Sequence, residues 1–118
     1  LIDKKMAEYA LAVVHGRPHF HINIVMDVSP FCDCHPENDA PIVPDVGMFA
    51  SFDPVALDHA CADAVNRCTP NSGTLLAECG VHTGDHFHDI SPSTNWHLQL
   101  EHAEKIGLGV QEYELVRL

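Results

Sequence analysis

Hydrophobic spacing divides the chain into helical and extended stretches. Ile2, Met6, Tyr9, Ala10, Val13 and Val14 recur at three- and four-residue steps, with Asp3, Lys4, Lys5 and Glu8 between them. This spacing predicts an amphipathic helix, ended by Gly16 and Pro18. Over residues 20–28 the period drops to two. Phe20, Ile22, Ile24, Met26 and Val28 share one face, and His19, His21, Asn23, Val25 and Asp27 share the other, so a strand with one polar, half-exposed face is expected. Residues 29–45 hold four prolines among Asn, Asp and Glu and read as a long functional loop. A second, short apolar strand is predicted over 46–51.

Asp53-Pro54 is a helix start, with a capping side chain followed by proline at the first helical position. Leu57, Ala60, Cys61, Ala64, Val65 and Cys68 then mark an apolar stripe, predicting a helix over 54–67. The run 69–73 breaks it, 74–79 suits a short helical turn, and 80–92 reads as irregular, His-rich and exposed. Ser93, Thr94 or Asn95 can cap a last helix that turns Trp96, Leu100, Ala103 and Ile106 inward and stops at Gly107. The tail 109–118 is expected to form a short edge strand. The order implies an α/β fold: a small sheet, mixed or mostly parallel, with three or four helices packed on it, in a single domain over residues 1–118.

The 118 residues carry 6 Lys and Arg against 17 Asp and Glu, a net charge of -11 that repels a phosphate backbone. Nucleic acid is therefore a poor partner. No apolar run approaches the roughly 20 residues a bilayer span needs, so no membrane segment is expected. The ten histidines tie this charge to pH, and protonating them all would bring it close to neutral, near the isoelectric point of about 5.1. Five cysteines, an odd number and several on helical stretches, suit reduced thiols and a cytoplasmic setting better than a disulfide framework.

The densest chemistry is Cys32-Asp33-Cys34-His35. In extended backbone the two thiols would point the same way and could grip one zinc or iron ion, with His35, His21 or His19 adding nitrogen. His19 and His21 also share a strand face. A second His cluster, His82, His86 and His88 with Asp85 and Asp89, lacks a helical zinc spacing and reads as solvated loop. Cys61 and Cys68 fall on an apolar stripe and read as core, and His59 with Asp63 as a helix-surface pair. No phosphate-binding glycine loop, nucleophile elbow, His-Glu-x-x-His or Cys-x2-Cys-x2-Cys run occurs.

Lys5-Met6-Ala7-Glu8-Tyr9-Ala10, Val28-Ser29-Pro30-Phe31-Cys32-Asp33-Cys34, Asn38-Asp39-Ala40-Pro41-Ile42-Val43-Pro44-Asp45 and Ser51-Phe52-Asp53-Pro54-Val55-Ala56-Leu57-Asp58 resemble the iron-sulfur centre proteins called domain of unknown function 362. Gln99-Leu100-Glu101-His102-Ala103-Glu104-Lys105-Ile106-Gly107-Leu108-Gly109 looks like that family's last helix and stop. The resemblance implies the C-terminal part of a longer protein whose upstream insertion carries four-iron clusters. Such clusters are expected there and not on these residues. Three functional expectations follow: a metal-binding domain of a redox protein; a non-enzymatic scaffold that docks the cluster-bearing domain or another redox partner; and, ranked last, a thiol redox switch. An uncovered sheet face or edge would also let the chain pair as a homodimer.

Overall fold

Helix α1 (Ile2–Val14) leads to two short strands, β1 (His21–Val25) and β2 (Gly47–Ser51), and four further helices: α2 (Pro54–Asn66), α3 (Leu75–Cys79), α4 (His86–Ile90) and α5 (His97–Lys105). These elements come from a computed structural model that describes all 118 residues. Backbone contacts gather them into two compact units. The first is Leu1–Asn23, Met48–Ala62 and Asn95–Leu118; the second is Ile24–Gly47 and Asp63–Thr94.

In the first unit, Asp53 organises the start of α2. Its Oδ1 accepts the N–H groups of Val55 at 2.8 Å and Ala56 at 3.1 Å, satisfying amides that have no partner inside the helix. Its Oδ2 accepts the Val110 N–H at 2.9 Å, so the same carboxylate pins the C-terminal tail. Gly109 is glycine because this approach is close: a Cβ there would run into the Asp53 carboxylate. The tail arrives by a well-formed helix stop. Gly107, at φ 81°, donates to the Glu104 carbonyl at 3.1 Å, and Leu108 donates to Ala103 at 2.9 Å. Both bonds belong to a Schellman turn, and Leu108 packs on the core of Ala7, Val55, Leu100 and Ala103. Trp96 and Ile106 pack there too, as the apolar spacing predicts. Helix α1 lies on α5 through Ala7, and the His102 ring meets Glu8 at 3.1 Å.

The second unit rests on Ile42 and Val43, both almost wholly buried although they lie in the proline-rich loop. The Ile42 N–H donates to Val28 at 2.9 Å, and its carbonyl accepts the Asn71 N–H at 2.8 Å. The Asn71 side chain donates to Pro41 at 2.9 Å, and Thr74 bonds the Asn71 carbonyl at 2.6 Å before α3 begins.

Several expectations need correction. The sheet has two strands and is antiparallel, not mostly parallel. Residues 26–46 contain no helix to make a crossover, so the chain simply reverses. The Val46 N–H donates to Val25 at 2.9 Å and Phe20 meets Phe52 edge-on at 4.9 Å, which joins the end of one strand to the beginning of the other. There are five helices, because Asp85 caps α4 through the amides of Phe87 and His88 inside a stretch expected to be irregular. The tail forms no strand.

The strand faces are also reversed. Phe20 is 53% exposed and Ile22 60%, whereas His21 and Asn23 are half-buried and Val25 is buried. On β2, Met48 and the following Phe52 are likewise exposed, and α1 leaves Ile2, Met6, Tyr9 and Val13 in the open while burying Ala7. The first unit therefore shows water an apolar sheet face and an apolar helix stripe. No helix is long and apolar enough to cross a membrane.

Asp53→Ala is expected to lower stability by about 1 to 2 kcal/mol, because it removes a cap and the tail's acceptor together. Asp53→Asn, which keeps one capping oxygen, should cost less than half of that. Gly109→Ala should act like Asp53→Ala, all three read from urea-denaturation midpoints.

Candidate functional site

Two groups of side chains carry the chemistry. The first is the tip of the loop in the second unit. The His35 N–H donates to the Cys32 carbonyl at 2.9 Å, which closes a β-turn with Asp33 and Cys34 at its centre. The expected extended backbone is absent; the chain bends sharply between the two thiols. Asn38 holds the base of this tip, donating to Ser29 Oγ at 3.0 Å and to the Phe31 carbonyl at 3.3 Å. Cys32 and Cys34 are both exposed. The turn aims the Cys34 N–H at the Cys32 sulfur, and the Cys34 thiol adds a second hydrogen bond, so the Cys32 thiol titrates below its ordinary value. The Cys34 thiol is held above its own ordinary value, chiefly by giving its proton to Cys32. His35 stands on the same turn, its Nδ1 3.6 Å from Glu37 and its ring 5.8 Å from Phe31.

The second group belongs to the first unit, on the inward face of β1. His19 Nδ1 and His21 Nε2 share one hydrogen bond at 2.8 Å, as residues two apart on a strand can. Opposite them α2 presents Asp58 and Cys61. Asp58 is exposed as a residue, yet partial desolvation of its carboxyl against the strand raises it above its ordinary value, with the nearby His21 opposing. Burial also pushes the Cys61 thiol up to about 11, reinforced by Asp58 and countered by a hydrogen bond with Asn23. Cys61 is thus an inert core thiol, as the apolar stripe predicts. Asp58 is the residue that motif reading passed over. Its signal was its place three residues before Cys61 on α2, which turns it toward the strand once the strand's faces are correctly assigned.

The remaining candidates are structural. His82 bonds the Cys79 carbonyl at 2.8 Å, and Asp89 accepts the amides of His82 and Thr83 and the Thr83 hydroxyl. Desolvation works against the Asp89 carboxylate, but these donors prevail and lower its carboxyl. His86 is 2% exposed; its backbone N–H donates to Asn66 at 2.9 Å and its Nε2 meets the Cys68 carbonyl at 2.8 Å, so it is a core histidine rather than an exposed loop residue. His59 bonds the Gln111 carbonyl at 2.8 Å and Cys68 the Ala64 carbonyl at 3.3 Å.

No three His, Cys, Asp or Glu side chains converge anywhere in the chain. Cys32, Cys34 and His35 lie in the second unit and His19 and His21 in the first, and the chain's thiols do not assemble the four that a cubane cluster takes.

Asp58→Asn is expected to stabilise the fold near neutral pH by less than about 1 kcal/mol, since part of the side chain meets screening solvent. A raised folded-state value favours the protonated form, so the contribution of Asp58 is present below about 3.8 and lost as pH rises through the folded value. Thermal midpoints of the two proteins should converge in acid and separate toward neutrality.

A family model described as "Domain of unknown function (DUF362)" matches residues 2–63. No curated protein and no solved structure matches the chain.

Proposed function

We propose, from the premise that the chain belongs to the DUF362 family, that it is a redox-associated domain that binds a zinc or iron ion through Cys32 and Cys34. The observation that carries this reading is the exposed turn, which holds two thiols side by side and lowers one of them toward the thiolate that ligates metal. His35 follows Cys34 directly and is the chain's own further donor. His19 and His21 each spend one ring nitrogen on the other, which leaves the opposite nitrogens for an ion or a substrate. Two thiolates do not complete a tetrahedral shell, so the remaining donors come from water, imidazole or a partner protein. Such an open set suits an ion that is exchanged or reacts, rather than one that only staples a fold. The context is a longer iron-sulfur protein in the reducing cytoplasm, in which five free thiols are at home.

A second reading has its own support. The exposed Phe20, Ile22, Met48 and Phe52 of the sheet, and the exposed stripe of α1, are what a docking scaffold would use. The occupant would be a cluster-bearing domain or another redox partner, and the acidic charge of the chain would select its approach.

Elemental analysis of untagged protein separates the two readings. About one equivalent of zinc or iron should accompany the native chain, vanish in Cys32→Ser/Cys34→Ser, and persist in Cys61→Ser. Metal at trace level in all three would remove the ligand assignment and leave the docking scaffold.

A further inference from the structure

The exposed stripe of α1 points to self-association: we infer that two copies of the chain pair through Ile2, Met6, Tyr9 and Val13, with their α1 helices antiparallel about a two-fold axis. The stripe has the spacing of a helix-packing seam. Its residues are four, three and four apart, the repeat that keeps one face of a helix on a neighbouring helix. Ala7, through which α1 enters the core, lies roughly a third of a turn round from this seam, with the half-buried Leu11 and Val14 on its side. Helix α5 therefore takes one side of α1 and leaves the seam uncovered, each of its four residues between half and three-quarters exposed.

Area, charge and register fit a second copy as the occupant. The seam offers about 500 Å² of apolar surface, so a pair would bury about 1,000 Å² in all, the lower bound for a specific interface and the range of a weak dimer. Lys4 and Lys5 balance Asp3 and Glu8, which makes α1 a neutral strip on a chain of net charge -11. It meets its own image without local repulsion, and it holds nothing that would select a strongly charged partner. In the antiparallel register Ile2 of one copy falls against Val13 of the other and Met6 against Tyr9, each pair made twice by the symmetry. The rows flanking the seam are Asp3 with Ala10 and Lys5 with Ala12, so each charge lies beside an alanine of the second copy, and the two helix dipoles oppose. A parallel pair would stack Met6 on Met6 and Tyr9 on Tyr9 and align the dipoles. The inference does not rest on the metal reading; of the two surfaces named for docking, it assigns the α1 stripe to a second copy and leaves the sheet face to the redox partner.

Sedimentation equilibrium of the full chain tests the pairing, in reducing buffer with chelator so that neither a disulfide nor a shared ion joins two copies. Between micromolar and millimolar concentration the average mass should climb from 13.0 kDa toward twice that value. Added salt should tighten the dimer, because it screens the repulsion between two chains of charge -11. Met6→Glu and Tyr9→Lys should each weaken pairing about tenfold or more, with circular dichroism unchanged since both positions are exposed. An equimolar mixture of these two variants should regain most of the lost affinity, because the antiparallel register sets position 6 of one copy against position 9 of the other. Ile22→Glu, on the sheet face, should leave the mass profile as it was. A chain that stays at 13.0 kDa throughout, a dimer dissolved by Ile22→Glu and not by Met6→Glu, or a mixture no tighter than either variant alone would each overturn the assignment.

Discussion

The carboxylate of Asp53 is the interaction on which the first unit depends. One oxygen opens α2 by taking two of its free amides, and the other takes the Val110 amide and so fixes the C-terminal tail. Once α2 starts at Pro54, its 3.6-residue period decides which side chains meet β1, and Asp58 and Cys61 fall toward His21 and Asn23. The tail is then held where its Gln111 carbonyl bonds His59 and its Tyr113 ring stands edge-on to the same imidazole, 5.7 Å away. A capping residue, commonly worth about 1 kcal/mol to a single helix, here also holds the tail that supplies His59 with its partners.

Helical stretches were the legible part of the chain, and for a local reason. The period in 2–14, the Asp53-Pro54 start and the Gly107 stop each reflect contacts within a few residues, which are written in neighbouring letters. The strand was legible as a strand but not in its orientation. Phe20, Ile22, Ile24 and Met26 make the more apolar face, yet α2 covers the opposite one, because Asn23 and His21 find polar partners in Cys61 and Asp58. Alternation says that two faces differ; it does not say which one a helix distant in sequence will cover. The same holds for Ile42 and Val43, which hide between prolines and lie where Asn71 reaches back across about thirty residues to bond the Pro41 and Ile42 carbonyls. Helix α4 escaped notice since its start is a single Asp85 cap inside a polar, His-rich run.

The candidate site was legible in its residue types and not in its geometry. Cys32 and Cys34 do lie together, and His19 does meet His21, as spacing of two residues allows. The closing of a β-turn around Cys34, rather than an extended run, depends on the His35 amide and on the Asn38 clamp at its base. That difference matters chemically. In extended backbone the two thiols would have like surroundings, whereas in the turn hydrogen bonds from Cys34 lower the Cys32 thiol and that same contact raises the Cys34 thiol. Burial has the opposite effect on Cys61, where the thiolate is suppressed without any neighbouring thiol.

Two independent physical facts bear on function. A strand apolar on one face and met on the other by α2, and a helix that exposes Ile2, Met6, Tyr9 and Val13, keep apolar surface in water at a free-energy cost of roughly 25 cal/mol per Å². The thiol turn separately presents two soft donors, with His35 next along the chain. The first cost falls if an apolar surface comes to lie against these residues, and the second feature offers two donors where a tetrahedral ion takes four. The exposed apolar faces and the two-thiol turn are thus separate features of the chain, one supporting the docking reading proposed above and the other the metal reading.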